Sequence, residues 1–140
     1  MPRIFSLKGR GIGFSFSRFY NSLDPYQGPL GFGWTHNYNI HLWQEGSVAI
    51  VKYGDGREEF YVRQPDSSFT AQTGVFNTLV QEAAGSYTLT DKRLLVHHFD
   101  ASGVLTAISD KNGNTMSLTY DSGRLVTVTD PGRSPGAVYL

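Results

Sequence analysis

Two segments near the C-terminus share one pattern, and this repeat restricts the possible folds more than any other sequence feature. The first is Phe99-Asp-Ala-Ser-Gly-Val-Leu105 and the second is Tyr120-Asp-Ser-Gly-Arg-Leu125. Each begins with an aromatic residue and aspartate, turns at a glycine, and continues as an alternating, strand-like run to a second turn. One such hairpin cannot bury a hydrophobic face by itself, so neighbouring units must pack side by side.

The two units correspond residue by residue, apart from one deletion. Three pairs of equivalent residues are separated by 20 positions each: Gly103 and Gly123, Leu105 and Leu125, Asp110 and Asp130. The aromatic residues are separated by 21, so the second unit has lost one residue from its first turn. The repeat therefore predicts a repetitive antiparallel sheet.

Composition supports the same fold class and excludes several kinds of partner. Sixteen glycines and nineteen aromatic residues indicate many turns between packed strands. Twelve basic and twelve acidic side chains cancel, which leaves no charged surface field to attract nucleic acid or an anionic membrane. Cysteine is absent, so disulfides and thiolate metal sites are excluded. A chain of 140 residues is expected to form one domain.

The clearest alternation between apolar and polar residues runs over residues 34–43 and predicts a single strand. The predicted core face carries Trp34, His36, Tyr38, Ile40 and Leu42. The predicted solvent or lumen face carries Thr35, Asn37, Asn39, His41 and Trp43. We therefore expect Trp34 to be buried together with Tyr38, Ile40 and Leu42.

Hairpin tips are predicted at Asp55-Gly56 and Asn112-Gly113, because Asp-Gly and Asn-Gly between β-rich runs favour two-residue primed turns. We expect positive φ at both glycines. Turn aspartates accept hydrogen bonds from their own backbone, which accounts for Asp55, Asp110, Asp121 and Asp130 without a catalytic role. Residues 64–98 alternate poorly and predict irregular short strands and one hairpin.

No catalytic or metal-binding pattern emerges from the polar residues. No serine lies in a Gly-x-Ser-x-Gly elbow, and the acidic residues are the adjacent Glu58 and Glu59 and isolated turn aspartates, so we do not expect an enzyme. His36 and His41 fall on opposite faces of the predicted strand, and the adjacent His97 and His98 also point apart. We therefore expect no metal and no cofactor.

Trp43 is the best candidate for a ligand contact, because it is the one large aromatic residue on an otherwise polar face. Together with His41 and Asn39 it would form a surface on which a sugar ring could stack. The alternative is that Trp43 packs under a loop or against a neighbouring strip of sheet. Aromatic residues of β proteins lie mostly in the core, which favours that alternative.

A second segment, with the repeats, carries a resemblance to a known family. Gly13-Phe-Ser-Phe-Ser-Arg-Phe-Tyr-Asn-Ser22 is followed by Gly28-Pro-Leu-Gly-Phe-Gly-Trp-Thr-His-Asn-Tyr38. Both segments and both repeats resemble the Rhs (YD-repeat) family, which includes bacterial polymorphic toxins, shell components of insecticidal toxin complexes, and teneurins. The residues that match its motifs are Arg18, Tyr20, Gly31, Gly33, Trp34, His36, Tyr38, Phe99, Asp100, Gly103, Leu105, Asp110, Gly113, Tyr120, Asp121, Gly123, Arg124, Leu125 and Asp130.

The resemblance implies an all-β fold, a curved antiparallel sheet of about ten short strands that forms a fragment of an Rhs β-shell. Residues 1–140 would form one domain. Residues 9–63 resemble the segment that opens the shell, residues 64–98 hold the irregular strands, and residues 99–133 hold two YD-type repeats. Residues 134–140 would begin a further strand, whose edge carries no charge to block pairing.

The resemblance also implies a function, a structural and non-catalytic wall that encloses or shields a toxin or polypeptide cargo. The alternative is a stand-alone β module that binds carbohydrate or a cell surface. We expect self-association, or pairing with a β-segment of another chain, through the open sheet edge. The sequence shows no signal peptide or membrane span. It therefore predicts synthesis in the cytoplasm, with any export as part of a larger toxin.

Overall fold

The described part of the chain consists of antiparallel strands joined by turns. The structure is a computed structural model of the 140-residue chain. It describes residues 3–7, 14–20, 27–28, 31–32, 34–121, 124–129 and 137–139. Side chains are described for residues 37–121 and 125–129. No helix within these residues has the length and apolar character needed to cross a membrane.

Sixteen strands lie in the described residues, which confirms the predicted all-β, antiparallel class. They are β1 Arg3–Leu7, β2 Phe14–Tyr20, β3 Gln27–Gly28, β4 Gly31–Phe32, β5 Trp34–His36, β6 His41–Glu45, β7 Val48–Lys52, β8 Glu58–Arg63, β9 Phe69–Ala71, β10 Thr78–Gln81, β11 Tyr87–Thr90, β12 Val96–Phe99, β13 Leu105–Ser109, β14 Thr115–Asp121, β15 Arg124–Thr129 and β16 Ala137–Tyr139. The number exceeds the predicted ten because strands of two or three residues leave little alternation in the sequence.

The strands form two larger sheets and two smaller ones. Strands β6 to β9 form a four-stranded sheet and β10 to β16 form a seven-stranded sheet, in sequence order in both cases. Strands β1, β2 and β5 form a three-stranded sheet, and β3 pairs with β4. Each strand of the two larger sheets therefore pairs with its neighbours along the chain, so that successive hairpins extend the sheet one unit at a time.

The two larger sheets share one hydrophobic core. Its members include Leu42 and Tyr61 from the first sheet and Phe99, Leu105 and Val128 from the second. Each of these five side chains is at most 2% exposed. Burying apolar area of this kind contributes about 25 cal/mol per Å².

The predicted burial of the residue set that includes Trp34 is confirmed where the structure describes side chains. Tyr38 and Ile40 are each 6% exposed, and Leu42 is 2% exposed. All three belong to the core shared by the two larger sheets. The side chain of Trp34 lies outside the described residues.

The prediction of one strand over residues 34–43 is wrong. Strand β5 ends at His36 and pairs with β2, whereas β6 begins at His41 and pairs with β7. Between them the chain turns, and Ile40 N–H donates to the Tyr38 carbonyl at 2.9 Å. The turn lets the chain leave one sheet and enter another.

Six hairpins use the same turn. In each, the first residue donates its N–H to the carbonyl of the fifth, and the fourth donates to the carbonyl of the first. The turns span residues 53–57, 64–68, 82–86, 91–95, 100–104 and 110–114. The fourth residue always has positive φ, and it is glycine in four turns, Ser67 in one and Leu94 in another. This is a type I turn followed by a left-handed residue.

The predicted hairpin tips exist, but their turn type differs from the prediction. Gly56 has φ of 91° and Gly113 has φ of 85°, as expected. Their neighbours Asp55 and Asn112 are not among the residues with positive φ, so neither tip is a primed turn. At the Gly113 tip the loop contains three residues, because the backbone N–H of Asp110 donates to the carbonyl of Asn114.

Aspartates stabilise these turns, as the sequence predicts. The Oδ1 atom of Asp100 accepts the backbone N–H groups of Ser102 at 2.9 Å and Val104 at 3.0 Å. Asp110 accepts the equivalent pair, and Asp55 Oδ1 accepts the N–H of Arg57 at 3.0 Å. These carboxylates are occupied by backbone donors.

The two repeat units also share their pairing register. In the first unit Phe99 pairs with Leu105, and the ladder skips Thr106 as a bulge before His98 pairs with Ala107. In the second unit Tyr120 pairs with Leu125, and the ladder skips Val126. Two residues separate Asp121 from its partner Arg124, whereas three separate Asp100 from Val104. The predicted deletion therefore lies in the turn.

Gly103, the turn glycine of the first repeat, joins the two larger sheets. Its carbonyl accepts the N–H of Leu42 at 3.0 Å, and the adjacent Val104 bridges to His41. A Cβ atom on Gly103 would overlap the backbone carbonyl of Leu42. Two features therefore require glycine at this position: the φ of 85° and the close approach of the Leu42 backbone.

We expect Gly103→Ala to destabilise the protein far more than Gly113→Ala, although both glycines have φ of 85°. Left-handed geometry costs alanine about 1–2 kcal/mol at either position. At Gly113 the new methyl group meets open space, whereas at Gly103 it meets the Leu42 backbone, so the total loss should exceed about 3 kcal/mol. Urea unfolding measures both losses. Equal values would show that the sheets do not meet at Gly103.

A second prediction concerns Asp110, whose pKa is held below its ordinary value of 3.8 mainly by the side-chain hydrogen bond from Asn114. The charged form is favoured in the native state. The resulting stability is therefore present above pH 3.8 and is lost as the pH falls through the native pKa. In an NMR titration of the carboxyl group, Asn114→Ala should raise this pKa. Asn112→Ala keeps its backbone donor and should leave the pKa unchanged; equal shifts would contradict the assignment.

Candidate functional site

The structure describes the motif residues of the N-terminal segment by their backbone. Strand β2 contains Arg18 and Tyr20, and β5 contains Trp34 and His36. Arg18 pairs with His36, and Tyr20 pairs with Trp34, so the two halves of the motif lie side by side on adjacent strands. Gly31 lies in β4.

The motif residues of the repeats occupy turns and core positions. Asp100, Gly103, Asp110 and Gly113 lie in the shared turn type, while Phe99, Leu105 and Leu125 are buried. Tyr120 is half-buried and its hydroxyl donates to the Leu105 carbonyl at 2.7 Å, which ties the second repeat to the first. Gly33, Gly123 and Asp130 lie outside the described residues.

The predicted ligand-contact residues lie on β6 and in the segment just before it. His41 and Trp43 lie on one face of β6, with His41 exposed and Trp43 half-buried, whereas Asn39 precedes the strand in the turn. The Trp43 indole N–H donates to Glu45 Oε2 at 2.7 Å. Along the sheet, Trp43 pairs with Ile50, and Ile50 pairs with Phe60. We call these three side chains the outer row; they lie on the face opposite the core.

A cavity of about 830 Å³ lies elsewhere, between turns and strands of the two larger sheets. Its buried lining includes Ile40, Glu59 and Leu89. The exposed lining includes Arg57 and Phe76, the latter with 76% of its surface exposed. Pockets that bind small ligands in proteins have volumes of about 300–1,000 Å³.

Glu59 is the centre of a hydrogen-bonded cluster at this cavity. Its Oε1 atom accepts the hydroxyl of Tyr53 at 2.7 Å and that of Tyr61 at 2.9 Å. The amide Nδ2 of Asn77 donates to the same oxygen at 3.1 Å and lies 3.3 Å from the Tyr61 hydroxyl. We call Glu59, Tyr53, Tyr61 and Asn77 the Glu59 cluster.

The alternation of buried and exposed residues along β8 positions the Glu59 cluster. Glu59 and Tyr61 are buried, while the neighbouring Glu58, Phe60 and Val62 are exposed. Residues two apart share a face of a strand, so Glu59 must point inward with the Tyr61 ring. Glu59 is only 8% exposed.

Burial raises the pKa of both cluster tyrosines above the ordinary value. For Tyr53, desolvation is the largest cause, followed by the hydrogen bond to Glu59 and the negative charge of that carboxylate. For Tyr61, desolvation is again the largest cause, and the amide of Asn77 opposes it. Both hydroxyls therefore remain protonated donors to Glu59 over the ordinary range of pH.

His97 also lines the cavity, and its Nδ1 atom is buried without a hydrogen-bond partner among the described residues. Burial lowers the pKa of His97, so its ring is neutral near neutral pH. His98 lies on the other face, where its Nε2 is 3.1 Å from Ser109 Oγ, which confirms that the two histidines point apart. Among the described side chains, no three His, Asp or Glu residues converge as a metal site requires.

Sequence reasoning missed the Glu59 cluster and His97. The one signal available was the alternation in β8, which places Glu59 on the same face as Tyr61 and so predicts a buried carboxylate. Tyr53 belongs to the same β7–β8 hairpin as Glu59. Nothing in the sequence indicates that Asn77 and His97 meet them, because these two residues lie in other hairpins. Their convergence depends on how the two larger sheets pack.

Comparison with known families matches two segments of the chain. Residues 3–61 match the family described as "Domain of unknown function (DUF6531)", which is associated with Rhs proteins. Residues 99–135 match the family described as "RHS Repeat". The matches cover the segments on which the family resemblance rests, and they confirm that resemblance.

The chain is also similar to three curated bacterial proteins. They are "tRNA nuclease WapA" of Bacillus subtilis strain 168, "tRNA3(Ser)-specific nuclease WapA" of Bacillus spizizenii and "tRNA(Glu)-specific nuclease WapA" of Bacillus subtilis subsp. natto. Each is 28% identical over 123 residues, which cover 87% of this chain. The chain spans only 5% of the length of each relative.

The Glu59 cluster generates a prediction for Tyr53→Phe. Loss of a hydrogen bond to a buried charged group should cost about 1.5–3 kcal/mol in urea unfolding. In a Glu59→Gln background the same change should cost less, about 0.5–1.5 kcal/mol, because the acceptor is then neutral. Equal costs in both backgrounds would mean that the carboxylate charge does not contribute to the hydrogen bond.

Proposed function

Since the chain belongs to the Rhs (YD-repeat) family, we propose that it is a wall segment of an Rhs-type β-shell that encloses or shields a polypeptide cargo. The relatives are named as tRNA nucleases. In this proposal such a nuclease is the cargo, and residues outside this segment supply it. The segment acts by shape and β-pairing and carries out no chemistry.

The observation that carries the proposal is the way in which the seven-stranded sheet grows. Each strand from β10 to β16 pairs with the next one along the chain, and each repeat adds an aromatic residue paired with leucine. A further unit needs only the edge of the previous one for hydrogen bonding. The geometry of such a sheet sets no limit on the number of strands, so the sheet can grow to the size that a wall requires.

The turn aspartates support a non-catalytic role. Asp91, Asp100 and Asp110 each use Oδ1 to accept two backbone N–H groups of their own turn. A carboxylate occupied in this way is held as a structural acceptor and is a poor general base. The conspicuous acids of the repeats are thus explained by the fold.

An open edge supplies the means of pairing with other chains or segments. Strand β16 stands at the end of the seven-stranded order, and within the described residues it pairs with β15 alone. An edge strand presents N–H and C=O groups in a row that another strand can match. Self-association or capture of a complementary β-segment is therefore the expected interaction.

A carbohydrate- or surface-binding module is the second candidate, and the outer row favours it. Trp43 is half-buried, Ile50 is covered, and Phe60 is 39% exposed. Aromatic rings on an outer sheet face offer a stacking surface for a sugar ring. In a wall, the same row would pack against a neighbouring strip of sheet.

Light scattering over a concentration series tests the wall proposal. We expect an apparent mass that rises with concentration, and a smaller rise for Val138→Lys, because a charge on the edge strand opposes strand pairing. Thr119→Lys places the same charge at an exposed position of the interior strand β14 and should behave like the parent chain.

A parent chain that stays monomeric at every concentration would contradict edge pairing. A glycan array then distinguishes the second candidate. Binding of a glycan by the monomer, abolished by Trp43→Ala, would replace the wall proposal with the binding module.

A further inference from the structure

Glu59 is a buried carboxylate with which no cation of the described residues forms an ion pair. It is the one charged side chain that is buried among those described. Its hydrogen bonds come from two phenol hydroxyls and one amide, all of them neutral donors. Within the described side chains, no Lys, Arg or His forms an ion pair with it. Buried carboxylates usually have a cationic partner, because desolvation of a lone charge is costly.

Two acceptor atoms in this region remain without a donor. All three hydrogen bonds of Glu59 end on Oε1, so Oε2 receives none from the described residues. His97 Nδ1 is also unpartnered there, but this atom is fully buried, so a group bound in the cavity does not reach it. Both side chains line the same cavity.

The cavity admits a small cation despite the basic residues at its rim. Three basic and three acidic side chains line it, so their charges cancel: Arg57, Lys92, Arg93, Glu58, Glu59 and Asp91. Arg93 is paired with Asp91 at 3.4 Å, and the Arg57 guanidinium lies 4.2 Å from the centre of the Tyr53 ring. The volume of about 830 Å³ suffices for an aliphatic amine.

We propose that this cavity binds a primary ammonium group, as presented by a small aliphatic amine or by a lysine side chain, at Glu59. An ammonium carries three donors and a compact charge, so it can donate to Glu59 Oε2 and neutralise the carboxylate. A hydroxyl group would supply one donor and no charge. This binding role is independent of the wall function.

The first experiment compares two ligands on the parent chain. The probes are Nα-acetyl-lysine methylamide and its uncharged analogue Nα-acetyl-norleucine methylamide, titrated while NMR follows the side chains of Asn77 and His97. The lysine probe should bind at least about tenfold more tightly, the difference expected from about 1.4 kcal/mol. Equal affinity, or no binding of the lysine probe, would overturn the proposal.

Matched variants locate the site. Glu59→Gln keeps the shape and the acceptor of the side chain but removes its charge, and it should weaken the lysine probe about tenfold. Glu58→Gln removes the adjacent exposed charge at the rim and should change the affinity less than about twofold. Equal effects would place the interaction at the rim and overturn the assignment. The comparison of the two probes stands even where Glu59→Gln fails to fold.

A third titration separates the two sources of the ammonium group. It uses the peptide Gly-Gly-Lys-Gly-Gly with blocked ends beside n-butylamine. Binding of both supports a cavity open to polypeptide lysines, and binding of butylamine alone supports a small-amine site. Binding of neither would overturn the proposal.

Discussion

The close approach of Gly103 to Leu42 is the contact on which the arrangement of the larger sheets depends. Beside this contact, His41 of β6 and Val104, which directly precedes β13, form an isolated β-bridge between the two sheets. The approach is possible because residue 103 has no Cβ atom. With the two backbones joined there, Leu42, Phe99 and Leu105 pack into one core rather than into two separate, smaller ones. A larger common core buries a greater share of apolar surface.

The repeat motif has a direct structural explanation. Its aromatic residue lies over the core, its aspartate accepts the turn amides, its glycine takes the left-handed position, and its leucine pairs with the aromatic residue. The tyrosine of the second unit adds a link, because Tyr120 donates to the carbonyl of Leu105 in the unit before it. The motif therefore encodes a hairpin together with its attachment to the previous hairpin.

The polar side chains that line the cavity lie outside the repeats. The Glu59 cluster and His97 come from the turn after β7, from β8, from the residue just before β10, and from β12. All of them except Tyr61 line a cavity that the repeat units do not line. Burial of a carboxylate that has only neutral donors is costly because the charge is partly removed from water. The four-stranded sheet thus combines a core face and an outer row, and it supplies the carboxylate of the cavity that lies between it and the seven-stranded sheet.

The sequence by itself determined the local features of this protein. The all-β class, the turns at Gly56 and Gly113, the burial of Tyr38 and the residue missing from the second repeat all follow from side-chain alternation and turn chemistry, which act over a few residues. Only the tertiary structure decided the break after His36, the turn type, the meeting of Gly103 with Leu42, and the cavity around Glu59. These depend on which hairpins face each other, and that choice sums many weak packing preferences between residues far apart in the chain.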